Sequence, residues 1–579
     1  MESIDKKTGK KVVIVGGVAG GASCAARLRR LDEEAEILMV ERGPYVSFAN
    51  CGLPYFCGGV IEKESSLLVA DEKLFREQFA INVRTLCEVV GISAAQKTVQ
   101  LKNVKTGEVS TESYDKLVLS PGAAPVHPDL PGIDLPGIFR VRYVPDAREI
   151  RAWIELRKQD LSGMNSYSGY QMVKRAMRGV VIGGGFIGLE MAENLIHQGL
   201  EVTLVHKHDQ VLPRLDPEMS RFVERYLEKH GVRLALNDGV AGFQKSPDGS
   251  ILVITSSGKA HPADIVILAI GVRPETALAK MAGIEIGKRG GILVDDHMRT
   301  SNPDIFAVGD AVVVKDFVTG ESALIALAGP ANRQGRIAAD VICGRDSSYR
   351  GTQGTSIIGI FGGAAAWTGT NENSLIRSGD KDFEKIYIFP NAHAGYYPDA
   401  KMVAMKVIFR KSDGRLLGAQ ALGLEGVDKR IDVIAMAIQM GLTVYDLEES
   451  ELCYAPQFGM AKSVINFAGM VAADVLRGDM PVSHWNSGDG GYLLDVRHPQ
   501  EIAVEQVPGA CNIPLHELRA RLGELPKDRE ILVFCRSGQR AYYATRILLQ
   551  NGFKAKNISG GMLARSVLMK TEIVGGSLD

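Results

Sequence analysis

No stretch of this sequence reaches the roughly 18 consecutive apolar residues that a membrane-crossing helix needs, and the polar opening tract MESIDKKTGKK lacks the apolar centre of a secretory leader. An excess of either charge is missing too. With 67 Lys and Arg against 68 Asp and Glu, the formal charge of -1 makes neither nucleic acid nor a charged membrane an expected partner. A local basic site for a phosphorylated ligand stays compatible with that balance. Cysteine is sparse, eight in 579 residues, which excludes a disulfide framework and leaves free thiols in a reducing compartment. Short-period repeats and low-complexity tracts are absent. A soluble cytoplasmic protein of three or four domains is expected, with no metal site.

What is present begins with KVVIV at 11–15, a β-branched run that stops at glycines and continues into ASCAARLRRL, the pattern of strand, turn and helix; EILMVE follows as a second strand ending at Glu41. The same order recurs at 179–206, GVVIGGGFIGLEMAENLIHQGLEVTLVH. Two such βαβ beginnings imply two Rossmann-like nucleotide-binding domains, the second inserted in the first. The expected boundaries are 10–150 with 290–350 for the first and 151–289 for the second. An α+β segment at 351–476, a Gly/Ser/Asp-rich linker at 477–491 and a small α/β domain at 492–579 complete the α/β architecture. The tract 161–177, rich in Ser and Gly, is long for a connection in such folds and suggests a loop bordering a substrate channel, with a surface insertion as the alternative.

In the first turn, Gly16, Gly17, Gly20 and Gly21 surround Val18, which replaces the middle glycine of a dinucleotide motif. Glu41, twenty residues beyond Gly21, stands where a carboxylate accepts from ribose hydroxyls. The second motif is complete, with Gly183, Gly185 and Gly188 presenting backbone N–H groups and a helix N-terminus to a pyrophosphate. Its ribose-binding acid is missing. His206 and Lys207 occupy that place, and a cation there suits a 2′-phosphate, favouring NADPH and leaving NADH open.

With TSNPDIFAVGDA at 300–311 and ILAIGVRPE at 267–275, the chain resembles the flavin disulfide reductase superfamily, and the resemblance implies that Asp310 binds the ribityl chain of FAD. YVSFANCGLPY, residues 45–55, is similar to the motif of the single-cysteine coenzyme A disulfide reductases and their rhodanese-fused relatives, over essentially the whole chain. Two-cysteine flavin reductases carry a partner thiol five positions on; Phe56 stands there and Cys57 comes next. Cys51 is therefore read as the lone redox centre, with Cys57 and Cys24 as packed small hydrophobes and a two-cysteine site as the alternative.

Hydride from the nicotinamide would pass through FAD to a sulfur on Cys51, and the thiolate would attack the next disulfide or persulfide. The resemblance implies a resting mixed disulfide with coenzyme A. It also implies CoA contacts from Ser23, Arg27, Arg30, Ser47, Asn50 and Lys462; Arg27 and Arg30 share a helix face, where two solvated arginines are the alternative. In place of a C-terminal histidine base, Tyr396 and Tyr454 match family tyrosines that reach the neighbouring subunit's thiol site, implying a homodimer built on 351–476; apolar packing is the alternative role.

CRSGQR at 535–540 follows the strand ILVFC and precedes a helix, a loop whose N–H groups stabilise a thiolate or persulfide anion at Cys535, with Arg536 and Arg540 adding positive potential. It resembles the rhodanese active loop, one residue shorter than a phosphatase loop, and implies a C-terminal rhodanese domain. The reading is an NAD(P)H- and FAD-dependent reductase of CoA disulfide, CoA persulfide or polysulfide, with sulfane-sulfur transfer by Cys535 and small thiols, disulfides and persulfides as partners. An NADH oxidase or peroxidase cycling Cys51 through sulfenic acid, or a sulfur carrier or redox sensor, are the alternatives.

Overall fold

The computed structural model describes residues 9–163, 167–168, 171–172 and 175–569, so residues 164–166, 169–170 and 173–174 of the 161–177 tract lie outside the described residues. The described chain divides into two compact units, 1–209 with 231–354, and 210–230 with 355–579.

In the first unit, Lys11–Val15 is the central strand of a five-stranded parallel sheet, ordered Ile305–Ala307, Lys116–Leu119, Lys11–Val15, Glu36–Val40, Asn82–Arg84. Its apolar side chains are buried on both faces, as a parallel sheet covered by helices requires. A second parallel sheet runs Arg233–Ala235, Glu201–Val205, Arg178–Ile182, Ile265–Leu268, Ile138–Phe139. The chain thus leaves the first sheet, builds the second and returns at Ile305. In both sheets the strand turns directly into a helix, Ala19–Leu31 and Phe186–His197, each without a side-chain N-cap. Glycine is required at the equivalent points Gly21 and Gly188, where a Cβ would stand 1.9 Å and 1.8 Å from the carbonyl oxygens of Gly16 and Gly183.

The second unit holds an antiparallel sheet, Ser356–Ile360, Gly363–Gly369, Leu416–Gly423, Val403–Arg410, Phe383–Ile388, and a parallel sheet of Val482–Ser483, Ala555–Ile558, Ile531–Phe534, Tyr492–Asp495 and Cys511–Asn512. Two boundaries read from the sequence need correction. Residues 210–230 do not stay with the 151–289 body: on this segment Asp216 and Glu218, with Glu372, surround the fully buried Lys406, whose Nζ lies 2.8, 2.6 and 2.6 Å from their oxygens. A charge so buried is tolerable only with such partners, and they tie the helix Pro217–Lys229 to the antiparallel sheet. Nor is 477–491 a free linker. Val482–Ser483 is an edge strand, and Trp485 packs on Phe534 at 5.1 Å between ring centroids while donating to the Gly561 carbonyl at 2.7 Å. His484 Nε2 lies 3.0 Å from Glu384 Oε1, joining this tract to the antiparallel sheet. Among the described residues no helix is long and apolar enough to cross a membrane.

Candidate active site with two thiol loops

A cavity of about 400 Å³ lies over the first glycine turn, lined by Gly16, Gly20, Glu41, Asn50, Arg142 and Asp310 among others. Glu41 is buried, and its carboxylate is aimed by two backbone donors, the N–H of Gly17 at 3.0 Å and of Gly43 at 2.7 Å. Asp310 follows the strand Ile305–Ala307 and Gly309; burial raises its carboxyl above the ordinary value, with Arg142 opposing. Around the cavity Arg42 and Arg142 both bind Glu275 at 2.7 Å and, against the effect of burial, hold its carboxyl low. These three were not singled out in the sequence, because Glu275 lies 233 and 133 residues from its two arginines. A cavity with a buried, backbone-oriented acid beside a glycine turn fits an adenine dinucleotide.

The second turn repeats this geometry with different chemistry. His206 Nδ1 accepts from the Gly184 N–H at 3.2 Å, as Glu41 accepts from Gly17. Its ring meets His208 edge to face at 5.3 Å, Lys207 is exposed, and open space lies where a side chain at Gly185 would point. His206 thus takes at this turn the place that Glu41 takes at the first.

Cys51 stands exposed on the 3-10 turn Asn50–Gly52, next to Asn50 of the cavity wall. Asn50 Oδ1 accepts from the Cys51 N–H at 3.0 Å and lies 3.6 Å from the sulfur. Partial burial of the sulfur, then the carboxylates of Glu190 and Asp310, push the thiol above its ordinary pKa. Cys57 is buried with its sulfur 3.8 Å from the Ala147 carbonyl, and burial lifts it to about 12; Cys24 is likewise buried and raised to about 12. Both pack as small apolar groups.

Ser47 adopts φ 47° beside this turn, and Ser23 Oγ lies 2.5 Å from Asn332 Oδ1. Arg27 and Arg30 differ in their surroundings. Arg27 is ion-paired to Asp340, Nε and Nη2 lying 2.8 and 2.7 Å from one carboxylate oxygen, while Arg30 is exposed. The helix places them on one side, but the neighbouring helix Ala328–Ile342 supplies a counter-charge to only the first. In the second unit Lys462 is exposed, and the phenol oxygens of Tyr396 and Tyr454, both exposed, lie 2.7 Å apart.

The second thiol is constructed differently. Cys535 is buried at the end of Ile531–Phe534, and its sulfur accepts from the N–H groups of Gly538 at 3.2 Å and Ala541 at 3.4 Å. Gly538, at φ 99°, turns the loop into the helix Gln539–Gln550. Arg540 is clamped by Glu501 at 2.6 and 2.8 Å, whereas Arg536 is exposed. Glu501 was missed in the sequence; the tract DVRHPQE contains it, but nothing local ties it to residue 540.

The comparisons with known proteins agree with this geometry. Residues 10–335 match the family described as pyridine nucleotide-disulphide oxidoreductase, 358–463 its dimerisation domain and 484–565 the rhodanese-like domain. The chain belongs to the pyridine nucleotide-disulphide oxidoreductases and carries a rhodanese-like domain. It is similar to the coenzyme A disulfide reductase of Staphylococcus haemolyticus, 33% identical over 80% of this chain and 100% of that one. Among solved structures it is similar to reduced CoADR-RHD of Bacillus anthracis, with 46% identity, coverage of 99% and 100%, and a TM-score of 0.92. It is also similar to a NAD-dependent persulfide reductase from A. fulgidus, with 35% identity, coverage of 96% and 99%, and a TM-score of 0.86.

Proposed function

We propose that the chain uses NADPH to reduce CoA disulfide or CoA persulfide at Cys51, with FAD as the carrier between them, and that Cys535 collects and donates sulfane sulfur. The observation that carries this reading is the state of the cysteines: Cys51 is exposed beside the glycine-lined cavity, while Cys57 is buried against the Ala147 carbonyl. One accessible sulfur at this turn supports a cycle through a mixed disulfide with a small thiol. The names of the Staphylococcus and A. fulgidus relatives support CoA and persulfide as substrates.

In this reading Gly16, Gly17, Gly20 and Gly21 hold the FAD pyrophosphate, Glu41 its ribose and Asp310 its ribityl chain. Gly183, Gly185 and Gly188, with His206 and Lys207, hold the nicotinamide cofactor. Bound FAD supplies two-electron transfer from nicotinamide to sulfur. Cys51 forms the disulfide with CoA, Asn50 orients it, and Ser23, Arg30 and Ser47 contact CoA, with Arg27 doing so once it leaves Asp340. Lys462 is assigned to CoA as well. Tyr396 and Tyr454 serve the thiol of a second copy in a homodimer, where their hydroxyls stabilise a leaving thiolate.

The test is anaerobic addition of NADPH to FAD-loaded protein. The flavin should bleach, one CoA should be released per subunit, and CoA disulfide or CoA persulfide should restore the colour. Recovery with peroxide or oxygen alone supports an oxidase or peroxidase instead, and failure to bleach supports a carrier or sensor.

A further inference from the structure

The turn that carries Cys51 is held from outside by a strap, residues 61–69. Its backbone pairs with the chain just before the thiol: the Ala49 N–H donates to the Leu67 carbonyl at 2.7 Å, the Val69 N–H donates to the Ser47 carbonyl at 3.0 Å, and Phe48 and Leu68 form an antiparallel bridge. Its side chains pack on the residue just after the thiol, since a Cβ at Gly52 would stand 2.9 Å from Leu67 Cδ2 and 3.1 Å from Ile61 Cδ1. Ser47, at φ 47°, keeps a left-handed backbone that a serine holds only where its neighbours fix it, and the strap is one of those neighbours. The place of the sulfur thus follows the place of the strap.

The strap in turn is held by one helix, Val144–Gly163. Arg148 and Arg151 stand three apart and share a face of it. Arg148 binds the Glu64 carboxylate through two nitrogens, Nη2 lying 2.6 Å from Oε1 and Nε 2.8 Å from Oε2, and Nη2 also donates to the Tyr45 hydroxyl at 2.9 Å. Arg151 donates to the Glu62 carbonyl at 2.9 Å, and its guanidinium lies 4.9 Å from the ring centroid of Phe56, on the helix Leu53–Cys57 that follows the thiol. The Arg148 hydrogen bonds hold the Glu64 carboxyl below its ordinary range, so the pair stays charged at neutral pH. Arg148 is half-exposed, and a pair so open to solvent adds little to the stability of the fold. What it supplies is geometry.

We propose that Arg148 is a positioning residue for Cys51: through Glu64 it fixes the strap against which the thiol turn is built, with Arg151 as a second hold on the same segment. The proposal rests on the disulfide-reductase reading above and adds what keeps its sulfur in place. Thiol–disulfide exchange depends on which sulfur is attacked and on access to it, and a displacement of about 1 Å can slow a positioned reaction by about 100-fold. A two-point contact with a carboxylate belongs to arginine, whose planar fork a lysine does not reproduce.

The test follows the two half-reactions by stopped flow in the full-length, FAD-loaded protein, after one equivalent of NADPH has cleared any mixed disulfide. Arg148→Ala and Arg148→Lys should retain FAD and bleach with further NADPH at the wild-type rate, yet recover their colour on CoA disulfide about tenfold more slowly. In both, the Cys51 peptide, quantified by mass, should react with iodoacetamide about threefold faster at fixed pH, because a loosened turn admits the reagent from more directions. Exchanging the charges in the double variant Arg148→Glu, Glu64→Arg rebuilds the contact and should bring both rates within about twofold of wild type. Wild-type recovery and alkylation in Arg148→Ala overturn the proposal, and so does equal slowing of both half-reactions that the exchange leaves unrepaired. If wild type itself fails to recover on CoA disulfide, the functional reading falls, and alkylation decides the clamp alone: faster in Arg148→Ala and restored by the exchange supports it, unchanged overturns it.

Discussion

Cys51 is exposed, its thiol pushed up by partial burial of the sulfur and then by the carboxylates of Glu190 and Asp310, and Cys535 is buried, with two backbone N–H groups directed at its sulfur. The same element is thus placed in two different surroundings. A sulfur facing carboxylates gains by being held in a covalent bond between turnovers, which suits a mixed disulfide. A sulfur that already accepts from two backbone N–H groups sits where donors can hold an anionic terminal sulfur, which suits a persulfide. The contrast means that the two loops should respond oppositely to the same kind of change.

The largest expected effect is that of Cys535→Ser, which should abolish sulfur transfer from thiosulfate and leave CoA-disulfide reduction within about twofold of wild type. Its rate on polysulfide with and without added CoA shows whether the two thiols are linked. Wild-type rates in both conditions mean that no relay runs through Cys535. Next is Gly538→Ala. A φ of 99° costs an alanine roughly 1–3 kcal/mol, and the donor N–H at 3.2 Å moves with it, so sulfur transfer should fall by about tenfold. The flavin half should not notice. Lys207→Glu acts only on the nucleotide side and should lower the NADPH/NADH preference by about tenfold, measured as the ratio of kcat/KM values. An unchanged ratio removes Lys207 from the site.

The smallest effect concerns Glu501. Arg540 holds its carboxyl at about 2, so the clamp contributes stability above the ordinary carboxylate pKa and loses it as pH falls from about 4.5 towards 2. Glu501→Gln should flatten the acid limb of the C-terminal domain's unfolding curve and reduce sulfur transfer about two- to threefold at neutral pH. An acid limb identical to wild type removes the clamp from the account.

The parts of the molecule that were legible in the sequence are those where function constrains neighbouring residues. The glycine turns, Glu41 twenty positions on, the isolated Cys51 and the CRSGQR loop are each written within a few residues or one strand length. What stayed hidden depends on distant partners. Nothing near Arg27 announces Asp340, and nothing near Lys406 announces Asp216, 190 residues away. The tract at 477–491 looks like a linker by composition, yet Val482 and Ser483 find a sheet edge at Asn557 and Ile558.

The most direct test of the account is one preparation of FAD-loaded Cys51→Ser assayed for both activities. The account predicts retained FAD, CoA-disulfide turnover below a tenth of wild type and sulfur transfer from thiosulfate within about twofold. Reduction at a tenth of the wild-type rate or more would contradict a mechanism that runs through this single thiol.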